Sequence, residues 1–183
     1  MKTKITYHRA TTDDELYQIL ELQKQNLSNV LSPKAKQQEG FVTLQHDFDT
    51  LKKMNHACAH CIAKNDDKVI GYALSMLQDF KDDISLLVPM FNEINKALSN
   101  QLLDINYIAM GQICIDKNHR GKGVFRGLYS FMKQELQHDF DAIITEVDTK
   151  NTRSSNAHKA VGFELLKYYT FNNQMWEIII LKL

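Results

Sequence analysis

One segment of this chain joins an apolar, β-branched run to a glycine turn and then to an amphipathic stretch. The apolar run stops at Asp116, the turn contains Gly121 and Gly123, and the amphipathic stretch extends from Phe125 to Leu136. A strand that enters a helix through such a turn leaves the amides of the first helical turn unpaired, and the helix dipole adds positive potential there. Because glycine lacks a Cβ atom, a bound group can approach the backbone closely. The segment therefore predicts a loop that binds a phosphate.

Three kinds of phosphate loop compete for this turn, and two of them fail on spacing. A Walker loop requires Ser or Thr directly after Gly-Lys, whereas Lys122 is followed by Gly123 and Val124. A Rossmann turn requires G-x-G-x-x-G, and here the third glycine, Gly127, comes one position late. The run Arg120-Gly-Lys-Gly-Val-Phe125 resembles the Arg-x-x-Gly-x-Gly/Ala loop of the GNAT superfamily of N-acetyltransferases at every position but the last.

A second motif follows at the place where that superfamily has one. In its members an Asn ends a strand, a Tyr or His lies seven residues later on a helix, and Gly-Phe closes that helix. Asn151, His158 and Gly162-Phe163 stand at those spacings. The chain therefore resembles GNAT N-acetyltransferases, most strongly over residues 105–183. The resemblance implies an α/β (α+β) fold with a mixed, mostly antiparallel central sheet of about seven strands, flanked by helices.

The resemblance also implies acetyl-CoA as co-substrate and a set of residues that bind it. The pantetheine arm would follow the motif strand and bond its backbone, and the pyrophosphate would rest on the N–H groups of the loop. Asn151 would bond the pantetheine amides. Phe125 departs from the family pattern, so its ring has to point away from the phosphates, into the helix packing. The implied cofactor-binding residues are Ile113, Cys114, Ile115, Arg120, Gly121, Lys122, Gly123, Val124, Phe125, Asn151 and Ser154.

His158 and Glu146 are the candidate catalytic residues. In many relatives a tyrosine at the position of His158 protonates the leaving thiolate, and a histidine with a pKa near neutrality can do the same. The alternative is a packed helix histidine. Ala109 stands where some relatives carry a glutamate, so Glu146 is the best remaining base, and burial would raise the pKa of its carboxyl. The alternatives are an exposed Glu146 that takes no part and an ordered water chain as base.

The implied function is the N-acetylation of a primary amine on a small molecule or peptide. The acceptor itself stays unassigned, because this scaffold serves many amines. Phe41, Phe48 and Phe91 lie in segments expected to line its pocket. A non-catalytic acyl-CoA-binding sensor of the same fold is the alternative, since the strand glutamate is missing. We expect no nucleic-acid and no membrane partner, and a homodimer stays open.

Composition agrees with a cytoplasmic enzyme. The chain has 183 residues, which suits a single domain over 1–183. Lys and Arg together number 22, as do Asp and Glu, so no net charge favours nucleic acid or a membrane surface. The N-terminal residues lack the apolar core of a signal peptide, and no apolar run reaches membrane-spanning length.

The cysteines raise the question of a metal site. Cys58 and Cys61 form a C-x-x-C with His56 and His60 beside them, but no second ligand pair accompanies them. The segment is also expected to be a strand, which would turn Cys58 and Cys61 to opposite faces. We therefore expect no metal, and free thiols in the core, Cys114 included.

Hydrophobic periodicity and capping signals predict the remaining elements. Strands are expected at residues 4–9, 59–64, 69–77, 107–115, 142–147, 163–171 and 174–183. Helices are expected at residues 12–27, 32–40, 47–54, from about 88 onward, and at 125–136. The stretch from Gln78 to Asn106 is expected to contain a helix that covers the sheet or, alternatively, a substrate-side lid or an oligomer contact.

Overall fold

The chain forms a seven-stranded sheet and five α-helices within the residues that the computed structural model describes, which are 4–27, 30, 32, 41–82, 84, 87–101 and 103–183. The strands are β1 (Ile5–Arg9), β2 (Cys61–Asn65), β3 (Lys68–Met76), β4 (Tyr107–Ile115), β5 (Ala142–Asp148), β6 (Glu164–Phe171) and β7 (Gln174–Lys182). The helices are α1 (Asp13–Gln25), α2 (Phe48–Ala57), α3 (Val88–Asn100), α4 (Val124–Leu136) and α5 (Thr152–Ala160).

The predicted fold class and the seven predicted strands are confirmed, with one local correction. A strand was expected from Ala59, but Cys58 caps the end of α2 and its N–H donates to the Met54 carbonyl oxygen over 2.9 Å. The strand β2 begins at Cys61, so the expected alternation of two cysteines along one strand is wrong. From residue 33 onward, the short helix predicted over 32–40 falls outside the described residues.

Local capping chemistry explains where the helices begin. The Thr12 hydroxyl accepts from the Glu15 N–H, and the Glu15 carboxylate accepts from the Thr12 N–H, each over 3.2 Å, which is a complete capping box. Asp47 caps α2 by accepting from the Thr50 N–H over 2.8 Å. Pro89 lies in the first turn of α3, where its missing N–H costs nothing.

The strands follow the spatial order β1-β2-β3-β4-β5-β7-β6. Neighbouring strands pair antiparallel except β4 and β5, which are parallel. The turn of the predicted β6–β7 hairpin holds Asn172 at φ 50° and Asn173 at φ 58°. Asparagine tolerates this left-handed region, and the conformation matches the twist of two antiparallel strands.

The helices cover both faces of the sheet. On one face, α4 inserts Leu128, Tyr129 and Met132 into a buried cluster with side chains of β2, β3, β4 and β5. On the other face, α1 and α2 cover β2 and β3, while α3 covers β4, β5 and β7. Within the described ranges, no helix is both long enough and apolar enough to cross a bilayer.

The parallel strands β4 and β5 separate after a short ladder. Their register pairs Tyr107 with Ala142, Ile108 with Ile143 and Ala109 with Ile144, and it ends there. The next residues are joined through a side chain, since the Thr145 hydroxyl donates to the Met110 carbonyl oxygen over 2.8 Å. On the opposite edge of β4, the ladder to β3 shifts between Ala73 and Ser75, as a bulge does. The end of β4 is therefore left with one edge open to a gap.

Candidate active site

Two adjoining cavities occupy the gap between β4 and β5. The first, called the loop cavity, has a volume of about 350 Å³ and extends to the glycine loop and to α5. The second, called the inner cavity, has a volume of about 240 Å³ and extends to β6, β7 and the start of α3. Both are lined by Phe41, Val42, Ile113, Asn151 and Ser154, so these residues mark the junction. A two-part ligand site with a common centre suits a reaction between two substrates.

The glycine loop has the geometry expected of an anion site. Gly121 has φ 73° and Gly123 has φ 81°, both in the left-handed region. A Cβ atom built at either position would meet nothing within 4 Å, so the space in front of the backbone is open. Gly123 is the N-cap of α4 and supplies no side-chain hydrogen bond to the first turn. The first amides of α4, from Val124 and Phe125 onward, are thus available to an anion.

The side chain of Arg120 is anchored within the protein. Its Nε donates to the Ile115 carbonyl oxygen over 3.1 Å, and its Nη2 donates to Oδ1 of Asn26 over 2.5 Å. The backbone oxygen of Asn26 in turn accepts from the Val42 N–H over 3.0 Å. This chain of contacts connects the loop, the end of β4 and the wall that separates the two cavities. Arg120 therefore sets the position of the loop.

Phe125 points into the packing of α4, as its departure from the family pattern required. Its ring centroid lies 5.2 Å from that of Tyr129 and 5.1 Å from that of His158, both in edge-on geometry. The residue still lines the loop cavity beside Lys122's neighbours Gly121 and Gly123. The benzyl group therefore leaves room for a ligand in front of the loop.

The three β4 residues predicted to carry the pantetheine arm lie beside the gap. Ile113, Cys114 and Ile115 pair with β3 on one side and line the loop cavity on the other. Burial raises the pKa of the Cys114 thiol to about 12, so it stays protonated at neutral pH. Cys114 is thus unsuited to act as a nucleophile.

The amide of Asn151 already has protein partners. Its Oδ1 accepts from the Ser154 N–H over 3.2 Å and so caps α5, and its Nδ2 donates to the Phe41 carbonyl oxygen over 3.4 Å. The side chain is buried and lines both cavities. Asn151 therefore holds the wall segment at Phe41 in place, in addition to any contact with a ligand.

His158 is enclosed and neutral. It is 1% exposed, with the rings of Phe125, Tyr129 and Phe163 packed edge-on around it at 5.1–5.5 Å. Its Nδ1 donates to the Ser154 carbonyl oxygen over 2.8 Å, which leaves Nε2 to accept from the Tyr129 hydroxyl. Burial lowers the pKa of its imidazole to about 4. The expectation of a pKa near neutrality is therefore wrong, while its role as an acid stays a prediction.

Glu146 lines the inner cavity and is the titratable group that fits a base. Burial raises the pKa of its carboxyl to about 7, and a hydrogen bond donated by the Tyr169 hydroxyl opposes part of that rise. Burial and the nearby Glu146 charge raise the pKa of Tyr169, so the phenol keeps its proton. A carboxyl that titrates near neutrality can accept and release a proton at physiological pH.

The sequence did not point to Tyr169 or to Gln112. Gln112 holds the cavity wall, since its Nε2 donates to the Leu44 carbonyl oxygen over 2.7 Å and its Oε1 accepts from the Tyr72 hydroxyl over 2.6 Å. Both residues lie on strands with ordinary alternation, and no local signal marks them. Their partners come from distant parts of the chain.

The aromatic residues expected around the acceptor are corrected in part. Phe41 lines both cavities. Phe91 is fully buried in the core beneath α3, and Phe48 stacks on Tyr17 with ring centroids 4.4 Å apart, so neither lines a cavity. Across the described residues, no three His, Cys, Asp or Glu side chains converge as metal ligands would.

The sequence model of the Acetyltransferase (GNAT) family matches residues 14–163, which is most of the chain. The chain belongs to the GNAT acetyltransferase family. A comparison with curated proteins by sequence gave no significant match.

Solved GNAT structures share the fold at low sequence identity. A mosquito arylalkylamine N-acetyltransferase like 5b is 15% identical with TM-score 0.70, over 98% of this chain and 100% of that one. The ribosomal-protein-S18-alanine N-acetyltransferase from Escherichia coli is 12% identical with TM-score 0.63, over 98% and 94%. A Salmonella typhimurium protein solved with its cofactor acetyl-CoA is 15% identical with TM-score 0.61, over 97% and 93%. These similarities support the GNAT fold.

Proposed function

We propose that this protein transfers the acetyl group of acetyl-CoA to a primary amine, with residues 1–183 as one acetyltransferase domain. The observation that carries the proposal is the position of Glu146. Its carboxyl lines the inner cavity beside the β4–β5 gap, and its pKa is raised to about 7. A base with that pKa can remove a proton from an ammonium group that the cavity has partly desolvated.

The residues around the loop cavity fit acetyl-CoA. The open space before Gly121 and Gly123 and the uncapped start of α4 suit a pyrophosphate held by backbone N–H groups. The open edge of β4 at Ile113–Ile115 suits an extended arm with amide groups, which would add to the sheet as a strand does. Acetyl-CoA supplies an acetyl group activated as a thioester.

Glu146 and the end of β4 would perform the chemistry. The transfer forms a C–N bond, breaks the thioester C–S bond, and moves one amine proton to the base. Glu146 accepts that proton, and the N–H groups on the open edge of β4 are the available donors to the developing oxyanion. Ile113 lies at the junction of both cavities, where such a donor is required.

The thiolate needs a proton, and two groups can supply it. His158 is the donor that the family resemblance implies. Glu146 is the other, because a carboxyl with a pKa of about 7 can return its proton to a more basic thiolate. The lowered pKa of His158 and its occupied nitrogens favour Glu146.

The structural neighbours support an amine acceptor without selecting one. Their names specify a ribosomal protein alanine in one case and arylalkylamines in another. Both groups are amines that must be neutral to attack a carbonyl. The proposal is therefore a primary amine on a small molecule or a peptide.

The same fold without catalysis, as an acyl-CoA sensor, remains the alternative. It was suggested by Ala109, which is fully buried among apolar residues. Glu146 provides a carboxylate on the neighbouring strand, which supports an enzyme.

The deciding experiment combines calorimetry with acetyl-CoA and an assay of thiol release over a panel of amines. Glu146→Gln should bind acetyl-CoA as the wild type does but lose about 10²- to 10⁴-fold in rate, as expected on removing a general base. Glu164→Gln, on the exposed end of β6, is the matched control. Acetyl-CoA binding without thiol release for any amine would favour the sensor, and an unchanged rate in Glu146→Gln would place the base elsewhere.

A further inference from the structure

The walls of the inner cavity are predominantly apolar and aromatic. Its entrance and sides are built by the wall segment after Phe41, by the start of α3, and by the β6–β7 hairpin. The apolar side chains that line it are Leu44, Leu87, Met90, Met110, Phe171 and Trp176. A ligand bound there exchanges water for hydrocarbon and ring surface, so the body of the ligand is expected to be apolar.

The charges in this cavity are negative. Glu146 and Asp148 line it, and no Lys or Arg stands among the described residues that do. His158 is neutral, since burial lowers the pKa of its imidazole to about 4. An ammonium group therefore finds carboxylates, whereas a carboxylate on the ligand would be desolvated without a partner.

The polar side chains of the cavity are largely occupied by partners within the protein. Gln112 uses both ends of its amide, Asn151 does the same, and the Thr145 hydroxyl donates to the Met110 carbonyl oxygen. Asp148 accepts from the Lys150 N–H over 2.8 Å. Among the described residues, the indole N–H of Trp176 is an exception, because it is buried without a partner. A ligand rich in hydroxyl or amide groups would leave many of them unpaired here.

An ion pair outside the cavity holds two of its apolar walls together. Glu93 of α3 bonds Lys167 of β6, and it also pairs with Lys96 over 2.8 Å. One turn before Glu93, Met90 lines the cavity, and two residues beyond Lys167, Tyr169 does so as well. The charges that join α3 to β6 thus stay out of the lining, and side chains with apolar surface face inward.

We propose that the inner cavity accepts a primary amine carried on an aromatic ring or short hydrocarbon body that has no carboxylate. This inference rests on the proposed acetyl transfer and narrows its acceptor. The ammonium nitrogen lies at Glu146, and the ring lies against Phe41, Phe171 and Trp176, which favour aromatic partners in offset or edge-on contact.

The test compares acceptors under saturating acetyl-CoA. Phenethylamine and phenylalanine share a ring and an amine and differ in a carboxylate, so their ratio of kcat/KM isolates that group. We expect phenethylamine and hexylamine to be preferred to phenylalanine by at least about 100-fold, because the carboxylate has no cation to pair with. Spermidine and a peptide with an N-terminal alanine should be poor acceptors.

A charge variant makes the test independent of loss of function. Gln174→Arg places a cation in the lining at the partly exposed start of β7, and should raise the kcat/KM of phenylalanine relative to phenethylamine by about 10-fold. Met175→Arg is the matched control, because Met175 is 53% exposed and does not line the cavity.

Each result decides the inference. A preference for phenylalanine, spermidine or the peptide would overturn it while leaving acetyl transfer intact. An equal response of the phenylalanine ratio to Gln174→Arg and Met175→Arg would also overturn it. Absence of transfer to every amine, with acetyl-CoA still bound, would remove the inference together with the proposed function.

Discussion

The phenolic oxygen of Tyr129 lies 2.8 Å from Nε2 of His158. Both side chains are buried, and each satisfies a polar atom that would otherwise have no partner in the core. The hydroxyl donates, because Nδ1 of the same ring carries the imidazole proton toward the Ser154 carbonyl oxygen. The pair therefore holds α5 against α4 beside the cavity junction.

We expect His158→Phe to act mainly on stability. It leaves the Tyr129 hydroxyl buried without an acceptor, at a cost of about 1–3 kcal/mol in the free energy of unfolding. Adding Tyr129→Phe should recover much of this, as a denaturant-unfolding cycle of the two variants would show. The high-pH limb of the rate profile should persist. If His158→Phe instead keeps its stability and acetyl-CoA affinity but loses that limb and 10²-fold or more in kcat, His158 is the general acid.

Tyr169 should set the working pH of the base. Its hydrogen bond to Glu146 lowers the pKa of that carboxyl, so Tyr169→Phe should raise it. Because the ionised carboxylate is the base, the acid limb of kcat/KM should move to higher pH, by up to about one unit. Tyr168→Phe, at a neighbouring and 51% exposed position, is the control. An acid limb that stays in place would show that Tyr169 does not act through Glu146.

Glu146 should destabilise the protein at alkaline pH. Its pKa is raised from the ordinary 4.5 to about 7 in the folded chain. Between those values the unfolded chain has released the proton and the folded chain retains it, so stability falls as the pH rises from about 4.5 through about 7. Glu146→Gln removes this titration and should be more stable than the wild type at pH 8 by up to about 3 kcal/mol, with a smaller difference at pH 5. Equal differences at both pH values, measured by urea unfolding, would contradict the raised pKa.

Gly123→Val should weaken binding of acetyl-CoA. A branched side chain at φ 81° is strained, and its methyl groups would occupy the open space before the loop. We expect the Kd for acetyl-CoA to rise by about 10- to 100-fold. The Kd for acetyl-pantetheine, which lacks the pyrophosphate, should change little, and this ligand separates loss of the phosphate site from general damage. A comparable loss for both ligands would mean that the loop does not bind the pyrophosphate.

The elements of the fold were predictable because their signals are local. The Thr12–Glu15 capping box, the left-handed turn at Asn172-Asn173 and the strand–glycine–helix run around Gly123 each depend on residues a few positions apart. Local dihedral preferences and capping bonds are similar in most tertiary settings, so the sequence could specify them. The placement of Glu146 on a strand beside the gap also followed from this level.

The chemistry of the site was decided by contacts between distant residues. Tyr169 reaches Glu146 across 23 positions, and Arg120 reaches Asn26 across 94. His158 changed from an expected titrating group to a neutral one because Phe125, Tyr129 and Phe163 remove it from water. A side-chain pKa depends on desolvation and on the charges within a few ångströms, and these are set when sheet and helices pack. The residue types and their spacing therefore came from the sequence, whereas the protonation states, the partners and the apolar lining of the cavity came from the tertiary structure.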